Sequence, residues 1–177
     1  ALLNTDTVTI ILNDGAAFNT DTVEDFELGN DDDAIDIAAA DFDGDETLDL
    51  PTLNHDDATI SLLIGDGEGA FEEGEDVTKI STSSDPDEDE LPTDFAIADL
   101  DDDGTADAVV VNDGEFGNLQ MLSITGPSLG DRNGFTGPFM GTGVALADFN
   151  GNGTLDAAMV STDDMTLFLP GSGTSEG

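Results

Sequence analysis

One twelve-residue pattern occurs three times in the chain: AADFDGDETLDL at 39–50, IADLDDDGTADA at 97–108 and LADFNGNGTLDA at 146–157. The acidic runs open at Asp41, Asp99 and Asp148, giving periods of 58 and 49 residues. Self-similarity at that spacing marks a repeat architecture, and the length suits one four-stranded unit per repeat. Around each copy the apolar residues alternate with the period of strands. Before the loop stand 36–42, 94–100 and 143–149, and after it stand 48–53, 106–112 and 155–161, so each loop joins a hairpin. Third strands are expected at 58–65, 118–124 and 165–171, and a fourth at 70–80.

The opening segment TVTIILNDGAAF (7–18) matches ATISLLIGDGEGAF (58–71), which places the start of the chain at the third strand of a unit. The expected organisation is one domain over 1–177: a half-unit at 1–33, full units at 34–92 and 93–142, and an incomplete one at 143–177. That makes 13 strands, with both ends cutting through a repeat. The acidic, Ser- and Pro-bearing stretch 81–92 reads as a solvated loop.

The chain of 177 residues carries 42 Asp and Glu against 2 Lys and Arg, a formal charge of −40. Its 18 Leu, 9 Ile, 8 Val and 10 Phe make 45 of 177, about 25%, above the roughly 20% of disordered chains of high charge, so a folded domain is expected. With so little positive charge, nucleic-acid binding and docking on an anionic membrane are excluded, and cations are the expected partners. No apolar run approaches the roughly 18 residues of a membrane span, and Ala1 opens no signal segment, so a soluble, processed or excised piece is expected. Zero cysteines remove disulfides, thiolate nucleophiles and zinc–thiolate sites. Lys79 and Arg132 neutralise almost nothing, so self-repulsion must be met by bound cations or by concentrated salt, where the Debye length is about 3 Å at 1 M. Such a surface resembles that of proteins from extreme halophiles; a calcium-loaded secreted domain is the alternative.

Asp outnumbers Glu by 31 to 11, and Asp is a turn former and cation ligand with poor helix propensity. Numbered from the first Asp, each loop sets short oxygen-bearing side chains at positions 1, 3, 5 and 9, with Thr at 7. The first loop has Asp41, Asp43, Asp45, Thr47 and Asp49; the second has Asp99, Asp101, Asp103, Thr105 and Asp107; the third has Asp148, Asn150, Asn152, Thr154 and Asp156. Alternate positions of a tight turn converge on one point, and a hard cation such as Ca²⁺ takes six to eight oxygens, position 7 offering its backbone carbonyl. Three Ca²⁺ sites are expected. Between the ligands, Phe42 with Leu48, Leu100 with Ala106, and Phe149 with Leu155 are expected to anchor the hairpins in the core. An EF-hand is excluded, because Thr52, Val110 and Met159 occupy position 12, where a bidentate Glu is required, and strands flank the loop.

These residues resemble the FG-GAP/VCBS repeats of integrin alpha-subunit propellers and of many secreted microbial proteins, whose unit carries a DxDxDGxxD-type loop followed by an apolar strand. The resemblance covers nearly the whole chain. It implies an all-β fold of propeller-type blades, about three and a half here, each with its Ca²⁺ loop in the first hairpin on the face opposite the ligand surface. The family prefers Gly at position 6, where the first loop has Glu46, and the third loop has only two carboxylates. Seven blades usually close the family's ring, so other copies of the chain or missing blades of a longer one are the expected partners. The terminal segments around 8–12 and 165–169 are expected to pair with strands outside the two complete units, supplied by another copy or by missing sequence.

The expected function is that of a noncatalytic, calcium-binding module at the cell surface or outside the cell, acting in binding, adhesion or assembly on a cell-surface protein or glycan. The alternative is an accessory or catalytic piece of a secreted hydrolase acting on polysaccharide, since paired carboxylates serve glycoside hydrolysis. Nothing in the sequence selects one pair among 42 acids. His55, the single histidine, could act as base or metal ligand but reads better as a loop residue. Phe18, Phe71, Phe139 and Phe168 read as core, and Phe116 as an exposed contact.

Overall fold

Runs such as TIIL, ISLLI and AVVV are β-branched and aliphatic, bounded by Gly, Asn and Asp, and all of them become strands. The computed structural model describes residues 2–4, 7–13, 18–28, 33–56, 58–74, 91–100, 102–113, 118–125, 128–136, 141–162 and 165–168. These form four antiparallel sheets, each a meander in chain order, with no helix among the described residues. Sheet 1 holds β1 (Leu2–Asn4), β2 (Thr7–Asn13) and β3 (Phe18–Glu27). Sheet 2 holds β4 (Ala34–Ile37), β5 (Leu50–Asn54), β6 (Thr59–Gly65) and β7 (Phe71–Glu73). Sheet 3 holds β8 (Pro92–Ala98), β9 (Asp107–Asn112), β10 (Asn118–Thr125) and β11 (Ser128–Thr136). Sheet 4 holds β12 (Gly141–Ala147), β13 (Asp156–Ser161) and β14 (Met165–Phe168). Among the described residues no helix is long and apolar enough to cross a membrane.

Among the described residues there are 14 strands, one more than expected, because β1 pairs with β2 through Leu3↔Val8. Leu53↔Ile60 is the corresponding pair of sheet 2, so β1 is the end of a second strand, too short to show a period-two pattern. Against the expectation of an outside partner, Val8 and Thr9 of the segment 8–12 pair on both sides within their own sheet, with β1 and β3, and Ile10 and Ile11 pair with β3, while β14 is paired with β13 alone among the described residues. β4 is shorter than expected and ends at Ile37, although Ala38 and Ala40 still donate to Pro51 and Asp49 carbonyls. The described part of the fourth strand at 70–80 is β7 with Gly74; residues 75–80, the acidic stretch 81–90, Phe116 and Phe139 lie outside the described residues.

The sheets stack face to face with one apolar core in each gap. Between sheets 1 and 2 lie Val8, Ile10, Leu28, Ala34 and Leu63, against which Phe71 packs; its ring meets Phe26 edge-on at 5.9 Å. Between sheets 2 and 3 lie Phe42, Leu53, Ile60, Leu62, Phe95, Ala106, Ala108 and Val110. Between sheets 3 and 4 lie Val109, Val111, Ala157 and Met159, with Val144 and Leu146. Each sheet thus has a front, facing the next sheet, and a back, facing the one before. All of β9 is buried because its front and back both lie in a core, whereas β2 and β13, in the end sheets, alternate. Two polar contacts join β8 to β12 across the gap between sheets 3 and 4: Asp94 accepts the Val144 N–H at 2.7 Å, and the Thr93 hydroxyl donates to the Gly141 carbonyl at 2.8 Å. Burial, and then the nearby Asp94 carboxylate, raise the Asp36 carboxyl on β4 above its ordinary value.

Leu53 is buried in a two-sided core and Val160 is half in water, so equal truncations should cost unequal amounts. Denaturant titration should give a loss of about 2–5 kcal/mol for Leu53→Ala. Val160→Ala should stay within about 0.5 kcal/mol.

Candidate metal centre

Each acidic loop lies between the first and second strands of its sheet, and its hydrogen bonds repeat in phase. The position-9 carboxylates Asp49, Asp107 and Asp156 are buried, and each accepts the N–H of the position-2 residue: Phe42 at 2.8 Å, Leu100 at 2.9 Å, Phe149 at 2.9 Å. This bond closes the base of the loop. Position 1 gathers the amides of the turn. Asp41 accepts from Gly44 and Glu46 at 2.7 and 2.9 Å, Asp99 from Asp103 and Gly104 at 3.2 and 3.0 Å, and Asp148 from Gly151, Asn152 and Gly153 at 2.6, 3.1 and 2.9 Å. Position 5 accepts both the amide and the hydroxyl of the position-7 Thr: Asp45 from Thr47, Asp103 from Thr105, Asn152 from Thr154.

In the first loop one oxygen each of Asp41, Asp43 and Asp49 lie within 4.8 Å of one another. Asp45 is held toward Thr47, and the Thr47 hydroxyl also lies 2.9 Å from the Gly65 carbonyl. Gly65 returns an N–H to Asp49 at 2.9 Å and leaves no space for a side chain, since a Cβ there would lie 2.2 Å from the Leu48 carbonyl oxygen. The end of β6 is thereby fastened to the loop. In the second loop Asp99, Asp103, Thr105 and Asp107 take the same places, and Asp101 lies outside the described residues. In the third loop Asn150 donates its side-chain amide to Asp156 at 3.2 Å, leaving Asp148 and Asp156 as the two carboxylates. Successive loops also touch, the Ala106 N–H donating to the Asp41 carbonyl at 2.8 Å.

Two expectations about the apolar loop residues need correction. Phe42 is buried at 1% exposure, but Phe149, at the same loop position, is 49% exposed. Phe42 enters the gap in front of sheet 2, and no sheet stands in front of sheet 4 among the described residues. Leu48 is 61% exposed where its counterpart Ala106 is buried. Ala106 reaches back onto sheet 2, whereas sheet 1 offers no first strand or acidic loop behind Leu48 among the described residues.

The backbone turns left-handed at positions 4 and 6 of every loop: Gly44, Asp102 and Gly151 have φ of 81, 60 and 77°, and Glu46, Gly104 and Gly153 have φ of 69, 94 and 90°. Glu46 therefore follows the same turn as glycine, against its own steric preference.

Desolvation at the loop mouth raises the Asp43 carboxyl, and the charges of Asp49, Asp45 and Asp41 add to it. The Thr47 hydroxyl and amide hold Asp45 below the ordinary value, Thr105 does the same for Asp103, and the Gly153 amide leads the lowering of Asp148. Adjacent carboxylates of this kind repel by about 1–4 kcal/mol at 4 Å, according to the local dielectric, so a cation seated among them would relieve the strain.

At the opposite end of sheet 2, Asp33, just before β4, forms a second group with His55 and Asp56 of the β5–β6 turn, their ligand atoms within 4.8 Å. His55 Nδ1 lies 3.0 Å from Asp56 Oδ1, and the His55 amide donates to the Asp33 carbonyl at 3.2 Å. The sequence marked His55 alone. Asp33 lies across the strand pair and shows no motif that links it to His55. No family model matches the chain, and no curated protein matches it.

Glu46→Gly should raise stability by about 0.5–1 kcal/mol in denaturant titration, since glycine adopts the left-handed turn without steric cost. Lowered carboxyls contribute stability above the ordinary value of 3.8 and lose it as pH falls through their folded values. In chelator and molar salt, where repulsion is screened, melting temperature should therefore fall as pH drops below 3.8, and Asp45→Ala should flatten that fall.

Proposed function

We propose that the chain is a calcium-binding, noncatalytic module of propeller-type blades, of the FG-GAP/VCBS kind, that serves binding, adhesion or assembly outside the cell in concentrated salt. One observation carries the reading: three loops share a single hydrogen-bond phase, and in the first of them three carboxylates converge. Backbone amides already orient the carboxylates at positions 1 and 9, so a cation gains its ligands without reordering them. Desolvation, and then the charges of Asp49, Asp45 and Asp41, disfavour the ionised form of Asp43, and a divalent ion would offset that cost. Because the loop closes the hairpin between the first and second strands, ion binding becomes folding free energy. Affinity should follow carboxylate number, with the third loop weakest.

Calorimetric titration of chelator-stripped protein with Ca²⁺ should show three sites, the weakest abolished by Asp148→Ala. Asp43→Ala should leave the melting temperature in chelator nearly unchanged and remove much of the gain on adding Ca²⁺. Equal melting temperatures for stripped and Ca²⁺-loaded protein would overturn the structural role of the ion.

A further inference from the structure

The first strands of sheets 2, 3 and 4 all bulge at one place. The register slips at Ile35 on β4, at Thr93 on β8 and at Thr142 on β12, and the next residue of each strand then stands opposite the second strand, as Asp36↔Leu53, Asp94↔Val111 and Gly143↔Val160. A bulge re-aims the side chain beside it. Asp36, Asp94 and Gly143 therefore hold one position in three successive sheets, and the first two bring a carboxyl to it.

Those two carboxyls touch: the Asp36 and Asp94 side chains are hydrogen-bonded to one another between sheets 2 and 3. Each also accepts a main-chain amide, Asp36 Oδ1 from Ile37 at 2.8 Å and Asp94 Oδ2 from Val144 of sheet 4 at 2.7 Å. Gly143 ends the line, since it brings no third carboxyl to Asp94 Oδ2, which lies 3.5 Å from where its Cβ would stand.

An ionised carboxylate has acceptors only, so two of them cannot hydrogen-bond to each other. The contact needs one donor, and the surrounding strands offer no basic group. β4 packs against β1, β5 and β8, and β8 packs against β4, β5, β9 and β12. On these strands the titratable side chains are Asp36, Asp94 and Asp107, and Asp107 is held at its loop base by the Leu100 N–H. Asp33, before β4, groups with His55 and Asp56. Arg132 is on β11, separated from β8 by β9 and β10, and Lys79 lies outside the described residues. Burial disfavours the charged form of Asp36 most, the Ile37 amide opposes this, and the hydrogen bond to Asp94 and its charge add to it.

We infer that Asp36 and Asp94 share one proton, and that this carboxyl–carboxylate bond is a pH-sensitive latch between sheets 2 and 3. Below the ordinary carboxyl value of 3.8 the latch is closed, and its contribution to stability is complete. As pH rises through the raised value of Asp36 in the folded chain, the proton leaves and that contribution is lost. Two carboxylates then repel across the gap. The core of Phe42, Leu53, Ile60 and Phe95 keeps the sheets together, so opening loosens the contact of β4 with β8 without unfolding the chain. Neither carboxyl belongs to an acidic loop, so failure of the calcium titration leaves the latch standing.

Melting temperatures of the whole chain in chelator and molar KCl, from below 3.8 to neutral pH, test the inference. Asparagine donates from its amide where the protonated acid donates from its hydroxyl, so Asp36→Asn keeps the latch closed at every pH. Its melting temperature should equal that of wild type below 3.8 and exceed it increasingly as pH rises, the gap levelling once the wild-type latch is open. Glu73→Gln, which removes an exposed charge from the edge strand of sheet 2, should open no such gap. NMR titration of the aspartate carboxyl carbons should show a resonance with its midpoint above 3.8 that is absent from Asp36→Asn. Asp94→Asn, whose amide can donate to Asp36 while its carbonyl accepts from Val144, replaces Asp36→Asn if the latter does not fold. An Asp36→Asn protein that melts below wild type at neutral pH, as loss of a shared cation would make it, overturns the inference. Equal gaps for Asp36→Asn and Glu73→Gln, or an Asp36 midpoint at or below 3.8, overturn it as well.

Discussion

Asp49, Asp107 and Asp156 are carboxylates removed from water, and each is held by the main-chain N–H of the residue seven positions before it. A buried carboxylate is costly unless it is paired, so the chain must bring that amide to it. Doing so fixes the mouth of the loop and the register of the first two strands together. The strands in turn decide which side chains face forward and which face back. Phe42 and Leu53 point one way and Leu50 the other because the loop base sets the phase of the hairpin.

The stack is a one-dimensional object in which each sheet contacts its neighbours, so the inner and outer sheets experience different solvents. Sheets 2 and 3 are covered on both sides, and their central strands β5, β6 and β9 are almost entirely buried, polar residues such as Thr52, Asn54 and Asn112 included. Among the described residues no sheet covers the outer side of sheet 1 or sheet 4. At the sheet 1 end, polar and acidic residues on β2 and β3 make that tolerable; at the sheet 4 end the surface remains apolar. This asymmetry gives the molecule a direction.

The acidic surplus acts on two scales. Over the surface it is a diffuse repulsion that salt screens within a few ångströms. Within each loop it is a local crowding of oxygens whose orientation the backbone enforces, and there a bound cation acts where bulk salt cannot. Thr47 and Thr105 stabilise the ionised position-5 carboxylates, and Asp43 has no such donor beyond the Asp45 amide. The loop therefore concentrates its unrelieved charge at one position.

The periodicity of three loops and their flanking strands was enough, from sequence, to establish an all-β chain, to set the order of its hairpins and to number the oxygen-bearing positions in phase. Those are local properties, because alternation and turn chemistry act over a few neighbouring residues. β1 escaped notice because three residues carry no period, and the approach of Asp33 to His55 because no local signal spans a strand pair. Burial was decided by the tertiary structure alone. Phe42 and Phe149 occupy one motif position, yet only the first is covered, since a side chain is buried by the sheet that stands in front of it and not by its own neighbours in the chain.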